Sequence, residues 1–285
     1  MTKPRYDRIL PLISLVVLGL MVVFLLEGSP DNPLVARLGG DLPVISVAWI
    51  VIAMLAVVIS TGADLLARSH PQLEHSTMFT LPGRLSRVEF APLFWILPSG
   101  VLFASFAFFR LFRGTLQGGA FILVLLTSGG LLTATLVAQH HSLNRDGETR
   151  ERAKVALQAI TYVVAFGLFS AIMYGGFRVL YTMPLVFVVA VPLAYRSIVR
   201  QINDRGRPLV ISTSVVGVVM AQASAVLGYW GAPFLIRGTL LLAVFYVLVG
   251  LLQHAQNNTL DRRISWELGG LGALVLGVLA AATLW

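Results

Sequence analysis

The sequence predicts an all-α, polytopic integral membrane protein: a bundle of nine transmembrane helices, N-terminus cytoplasmic and C-terminus outside. Three observations predict it. Nine apolar stretches are each long enough to cross a bilayer, since about 20 apolar residues span roughly 30 Å of hydrocarbon. The 285-residue chain is 57% hydrophobic and only 12% charged, with mean hydropathy +0.83, about half the charge of a soluble domain. Its cations collect in alternate connections, as they do in short cytoplasmic loops.

The first apolar run, Ile9 to Leu26, follows Lys3, Arg5 and Arg8, as the core of a signal peptide does. It is longer than such a core, and no small-residue cleavage site follows it, so it reads as a retained first helix. The spans fall at 9–26, 43–66, 91–112, 116–138, 154–174, 178–195, 208–229, 232–253 and 265–284, together a single transmembrane domain over 1–285. Glu27 to Leu42 is rich in Gly, Pro and Asp and reads as irregular turn. Arg113-Gly114 links spans three and four, and Gly175-Gly176-Phe177 links five and six. The longer connections, 67–90 and 139–153, fall on the opposite side. Pro98, Pro184, Pro192 and Gly129-Gly130 sit inside spans, which membrane helices tolerate better than soluble ones.

The charges orient the chain. Lys3, Arg5, Arg8, Arg68, Arg84, Arg87, Arg145, Arg150, Arg152 and Lys154 lie on one side with Arg196, Arg200, Arg205, Arg207, Arg262 and Arg263. The other side holds Arg37, Arg110, Arg113, Arg178 and Arg237. Sixteen cations against five place the N-terminus inside. The net charge of +8 is then a consequence of topology and does not imply nucleic acid. It implies contact with anionic lipid head groups at the cytoplasmic surface of the plasma membrane.

A candidate parallel repeat pairs 91–153 with 208–264, with coincidence as the alternative. Arg113-Gly114-Thr115-Leu116 precedes span four, which ends in Gln139-His140; Arg237-Gly238-Thr239-Leu240 opens span eight, which ends in Gln253-His254. The two pairs run the same way through the membrane, as duplication requires. The marker distances differ, however, at 27 and 17 residues.

Missing residues exclude much chemistry. The chain has no cysteine, so disulfides, thiol catalysis and Cys-ligated metals are absent. Only two lysines occur, Lys3 and Lys154, neither deep in a span. No G-x-S-x-G, H-E-x-x-H or phosphate-loop pattern is present. Asp64, Arg110 and Glu267 fall within two turns of a span end, where long side chains reach the interface. Gln222 is the most central strongly polar side chain, and an interhelical hydrogen bond is the ordinary use of such a group.

The five histidines, His70, His75, His140, His141 and His254, all fall on the cytoplasmic side near span ends. His70-Pro-Gln-Leu-Glu-His75 and Gln139-His140-His141 resemble fragments of the histidine boxes of membrane desaturases and hydroxylases. That family's two irons need more histidines than this chain has, and Pro71 breaks the helical spacing between His70 and His75. No cofactor is predicted. If a single divalent metal binds, His140, His254 and Asp64 are the ligands to test.

The first functional reading is therefore a non-catalytic membrane protein: a subunit, scaffold or passive carrier of a hydrophobic or neutral ligand. Its partners are then lipid and other membrane proteins or further copies of itself. The second is a cytoplasmic-face enzyme, metal-dependent or not, acting on a lipid or prenyl substrate. The third is a transporter whose neutral-substrate path is lined by Gln222, Tyr181, Tyr246 and Trp230.

Overall fold

The computed structural model describes residues 6–28, 35–36, 45–69, 79–82, 87–90, 92–112, 119–143, 147–199 and 207–256, together with Gly270 and Gly277. Eight α-helices stand among them, where the sequence predicts nine spans. The ninth, 265–284, lies outside the described residues apart from Gly270 and Gly277, both helical. Seven helices are long and apolar enough to cross a membrane, and the remaining one, of 16 residues, is shorter. The architecture fits a polytopic membrane protein.

The helices are α1 (Tyr6–Gly28), α2 (Val47–Arg68), α3 (Ile96–Leu111) and α4 (Gly119–His141), then α5 (Gly147–Tyr174), α6 (Val179–Val199), α7 (Arg207–Gly228) and α8 (Phe234–Gln256). Local chemistry sets several ends. A 3-10 turn over Pro92–Phe94 delays α3, so Pro98 falls in its first turn, where a missing N–H costs nothing. Gly176, at φ +59°, makes the left-handed turn between α5 and α6, a conformation open to glycine. Pro208 lies in the first turn of α7, and Pro233 immediately precedes α8.

Two helices outrun the apolar windows. α5 begins seven residues before the expected span, its polar start supported by the Glu148–Arg152 and Glu151–Lys154 pairs. α6 continues past Tyr195 to Val199. Two short antiparallel pairings also depart from an all-α reading: β1 (Val35–Ala36) with β2 (Ile45–Ser46), and β3 (Phe79–Pro82) with β4 (Arg87–Phe90). In the second, Thr80 faces Glu89 and Leu81 faces Val88. Pro82-Gly83 supplies a turn signal between two segments rich in β-branched and aromatic residues.

The chain forms two compact units, Met1–Ile160 and Thr161–Trp285. In the first, α1 and α2 pack closely: Gly19 lies under Leu55 and Gly62 under Leu12, where a Cβ would collide. Phe24 and Phe109 stack at 3.9 Å with Phe121 edge-on to both, and Phe106 meets Trp49 edge to face. In the second unit, α6 and α7 interlock at Gly217, which lies against Val191 and Phe187. The α5–α8 contact is made at Gly238, where a Cβ would run into Ser170, backbone included. Beside it, Arg237 Nη2 donates to the Met173 carbonyl at 3.3 Å, capping the C-terminal end of α5.

Candidate functional site

The polar groups near the chain's expected cytoplasmic face gather at helix ends. In the first unit, α2 brings Asp64 into its last turns, where it is only 5% exposed. One turn on, Arg68 pairs with it at 2.5 Å, its own side chain a third exposed. This (i, i+4) spacing lets a buried carboxylate meet a cation that still reaches solvent.

The end of α4 lies nearby on the same side of that unit. Gln139 is buried and its Nε2 donates to the Phe94 carbonyl at 3.3 Å. His140 lines a narrow cleft with Gln139, Leu136 and Phe94, closed by Ala63 and Ala67 of α2 and by Ile9 of α1. The His140 and His141 rings meet edge to face at 5.8 Å, and both lie in the last turn of α4. The cleft is mostly apolar, with one imidazole and one amide at its wall.

The candidate metal ligands belong to different units. Asp64 and His140 belong to the first unit, whereas His254, in the last turn of α8, belongs to the second. Among the described residues, no group of three His, Asp or Glu side chains is placed to hold a metal ion.

The four residues expected to line a path all lie in the second unit. Gln222 is on the exposed face of α7. Tyr246 of α8 is 37% exposed, its ring 5.4 Å from that of Tyr162. Tyr181 lies in the first turn of α6, its N–H bonded to the Arg178 carbonyl, and Trp230 lies in the α7–α8 connection, bonded to the Leu227 carbonyl.

Arg196 is the residue that sequence reasoning misplaces. Expected among loop cations, it lies in the last turn of α6 and is 2% exposed. Beside it, the Ser197 carbonyl accepts a hydrogen bond from Gln253 Nε2 of α8 at 3.2 Å. The signal available in the sequence was helical continuity: nothing between Pro192 and Val199 breaks a helix.

Four buried hydroxyls elsewhere serve their own helices, whereas those of Ser170 and Ser197 are buried without a hydrogen-bond partner among the described residues. Ser128 bonds to the Val124 carbonyl, Thr135 to Leu131, Thr213 to Leu209 and Val210, and Ser224 to Ala221. Such back-bonding satisfies a polar side chain in an apolar setting.

The fold thus defines an apolar, multi-helix protein of membrane type. The chain belongs to the family described as Protein of unknown function (DUF5656), whose model matches residues 29–282. No curated protein and no solved structure matches it significantly.

Proposed function

We propose that this protein is a multi-pass protein of the plasma membrane that works without catalysis, as a membrane subunit, scaffold or passive carrier of a hydrophobic or neutral ligand. The observation that carries this reading is the use of four buried hydroxyls. Ser128, Thr135, Thr213 and Ser224 turn back to their own helix carbonyls. A hydroxyl that donates to its own helix carbonyl needs no further polar partner, which supports apolar packing around these four positions. Orientation follows from the sixteen-to-five division of cations, with the N-terminus cytoplasmic, a ninth span over 265–284, the C-terminus outside and anionic head groups against the basic side. The parallel repeat of 91–153 and 208–264 has one support: Gln139 and Gln253, at matching places, each donate to a main-chain carbonyl of a neighbouring element.

The absence of cysteine makes the test direct. Thr135→Cys, Thr213→Cys and Ser224→Cys, introduced singly in proteoliposomes, resist water-soluble thiol reagents from both sides. Labelling of all three would favour the neutral-substrate transporter instead. A second reading, an interfacial enzyme on a lipid or prenyl substrate, is favoured by the apolar cleft with His140 at its wall. It requires a turnover, or a stoichiometric metal, that His140→Ala abolishes.

A further inference from the structure

We propose that the end of the second unit formed by the α5–α6 and α7–α8 connections seats in the glycerol-ester layer of a phospholipid bilayer, held there by Tyr174, Tyr229 and Trp230. This rests on the reading that the chain spans a membrane, and names the lipid layer that this end contacts.

The two connections lie side by side. The Tyr174 and Phe234 rings meet at 5.0 Å, Gly228 lies against Val179, and Arg237 reaches the Met173 carbonyl. Tyr174, Phe177, Tyr229, Trp230 and Phe234 all fall in or beside these two turns. The connection at the opposite ends of α6 and α7, 200–206, carries Arg200, Asp204 and Arg205 and no aromatic residue.

Tyr229 is 85% exposed and Tyr174 53%, so the fold does not spend these rings on its core. In water their apolar bodies would stay wetted, and in hydrocarbon their hydroxyls would lie without a partner. A layer that is apolar on one side and wet on the other suits both parts of the side chain.

The order of exposed residues along the helices is the second observation. Inward of the rings, the large exposed hydrophobic side chains of α6 and α7 are all aliphatic, among them Leu180, Val188, Val218 and Val226. The exposed Gln222 interrupts them on the ring side of Val218, less than two turns from the end of α7 at Gly228. In the α5–α6 connection itself stands Arg178, also exposed.

Helix length agrees with that order. α6, α7 and α8 have 21, 22 and 23 residues, about 31–35 Å at 1.5 Å per residue, close to the hydrocarbon thickness of a bilayer. With one boundary at Tyr229, the bilayer centre falls about ten residues back along α7, near Val218. The same distance from Arg178 along α6 reaches Val188.

The test uses the full chain in phosphatidylcholine vesicles, with spin labels on single cysteines, since the chain has none of its own. Relative access of oxygen and of a nickel chelate reports depth. Val188→Cys and Val218→Cys place the label near the bilayer centre, and Val226→Cys nearer the boundary. Gly231→Cys, where a new side chain meets nothing within 4 Å, places it among the head groups. Adding Tyr229→Ser and Trp230→Ser to the Val226→Cys chain moves its label by about one helical residue, 1.5 Å, or more. Tyr229→Trp in place of the first serine restores the depth. A Gly231→Cys label as open to oxygen as that of Val218→Cys would sink this end in hydrocarbon and overturn the proposal. So would a Val226→Cys label unmoved by the two serines, or one shielded from both reagents, because protein and not lipid would then cover the end. Chelate access to all four labels, with release of the chain by carbonate, would overturn the membrane reading itself.

Discussion

The Gln139 side-chain amide reaches across to the Phe94 carbonyl at 3.3 Å, fastening the end of α4 to the 3-10 turn that leads into α3. In the other unit Gln253 makes the matching bond to Ser197, from the end of α8 to the end of α6. Removing the amide leaves a buried carbonyl without that donor, which costs about 1–3 kcal/mol. Gln139→Leu therefore lowers the thermal midpoint in detergent by several degrees. Gln253→Leu, at a partly buried bond, lowers it less. Equal midpoints for Gln139→Leu and wild type would show that the bond is dispensable.

Glycine substitutions should divide by what the new methyl group meets. At Gly238 it runs into Ser170, including that residue's Cα, which no rotamer change can move aside. Gly238→Ala therefore costs about 1–3 kcal/mol by overpacking. At Gly130 nothing lies within 4 Å, and alanine is the better helix former by about 1 kcal/mol. Gly130→Ala should be neutral or stabilising in the same unfolding measurement. The order of the two variants is the prediction, and a reversed order would refute the α5–α8 contact.

How much of this was legible beforehand depends on what hydropathy measures. A window of apolar residues sees the hydrocarbon-length part of a helix, so α7 and α8 stand within a few residues of their expected spans. It is blind to helix continuing through polar residues. It therefore misses the Gly147–Ala153 start of α5 and ends α6 before Arg196, turning a buried arginine into a loop cation. The β3–β4 pairing is lost for the same reason, since eight strand residues never fill a membrane window. At the candidate site the residue types were readable. Facing was not: the polarity and depth of Gln222 are sequence properties, but its outward direction is fixed by the packing of α7 on α6 at Gly217.

The Asp64–Arg68 pair predicts an asymmetry. Asp64 is buried and Arg68 is partly solvated, so losing the cation takes a close partner from a buried carboxylate, while losing the carboxylate leaves a cation that solvent reaches. Arg68→Ala should cost about 2–4 kcal/mol, and adding Asp64→Asn should recover part of it. A double mutant cycle by thermal unfolding measures this coupling. Additive effects would mean that the pair is not the carboxylate's principal stabiliser.

Topology is checked by thiol accessibility in intact cells. Ser142→Cys follows the end of α4, and Tyr229→Cys follows the end of α7, where the native tyrosine is 85% exposed. With the N-terminus inside, an impermeant maleimide added outside labels Tyr229→Cys and leaves Ser142→Cys unmodified until the membrane is opened. The opposite result would invert the orientation drawn from the arginines.

Arg196 and Arg152 are both helical arginines, yet their surroundings are opposite. Arg152 is paired with Glu148 on an open surface, its side chain 79% exposed, and such pairs contribute about 0–1 kcal/mol. Arg196 is among the largest fully buried side chains in the described chain. Truncating it removes packed methylenes as well as a charge, so Arg196→Ala carries a cavity cost of about 2–5 kcal/mol. Arg196→Lys does not rescue it fully, because an ammonium lacks the planar fork and brings stronger hydration into the same space. Arg152→Ala should leave the thermal midpoint in detergent within about a degree or two of wild type, Arg196→Lys should lie clearly below it, and Arg196→Ala lower still. A midpoint for Arg196→Ala as close to wild type as that of Arg152→Ala would return Arg196 to the loop, with the other cations of the sixth connection.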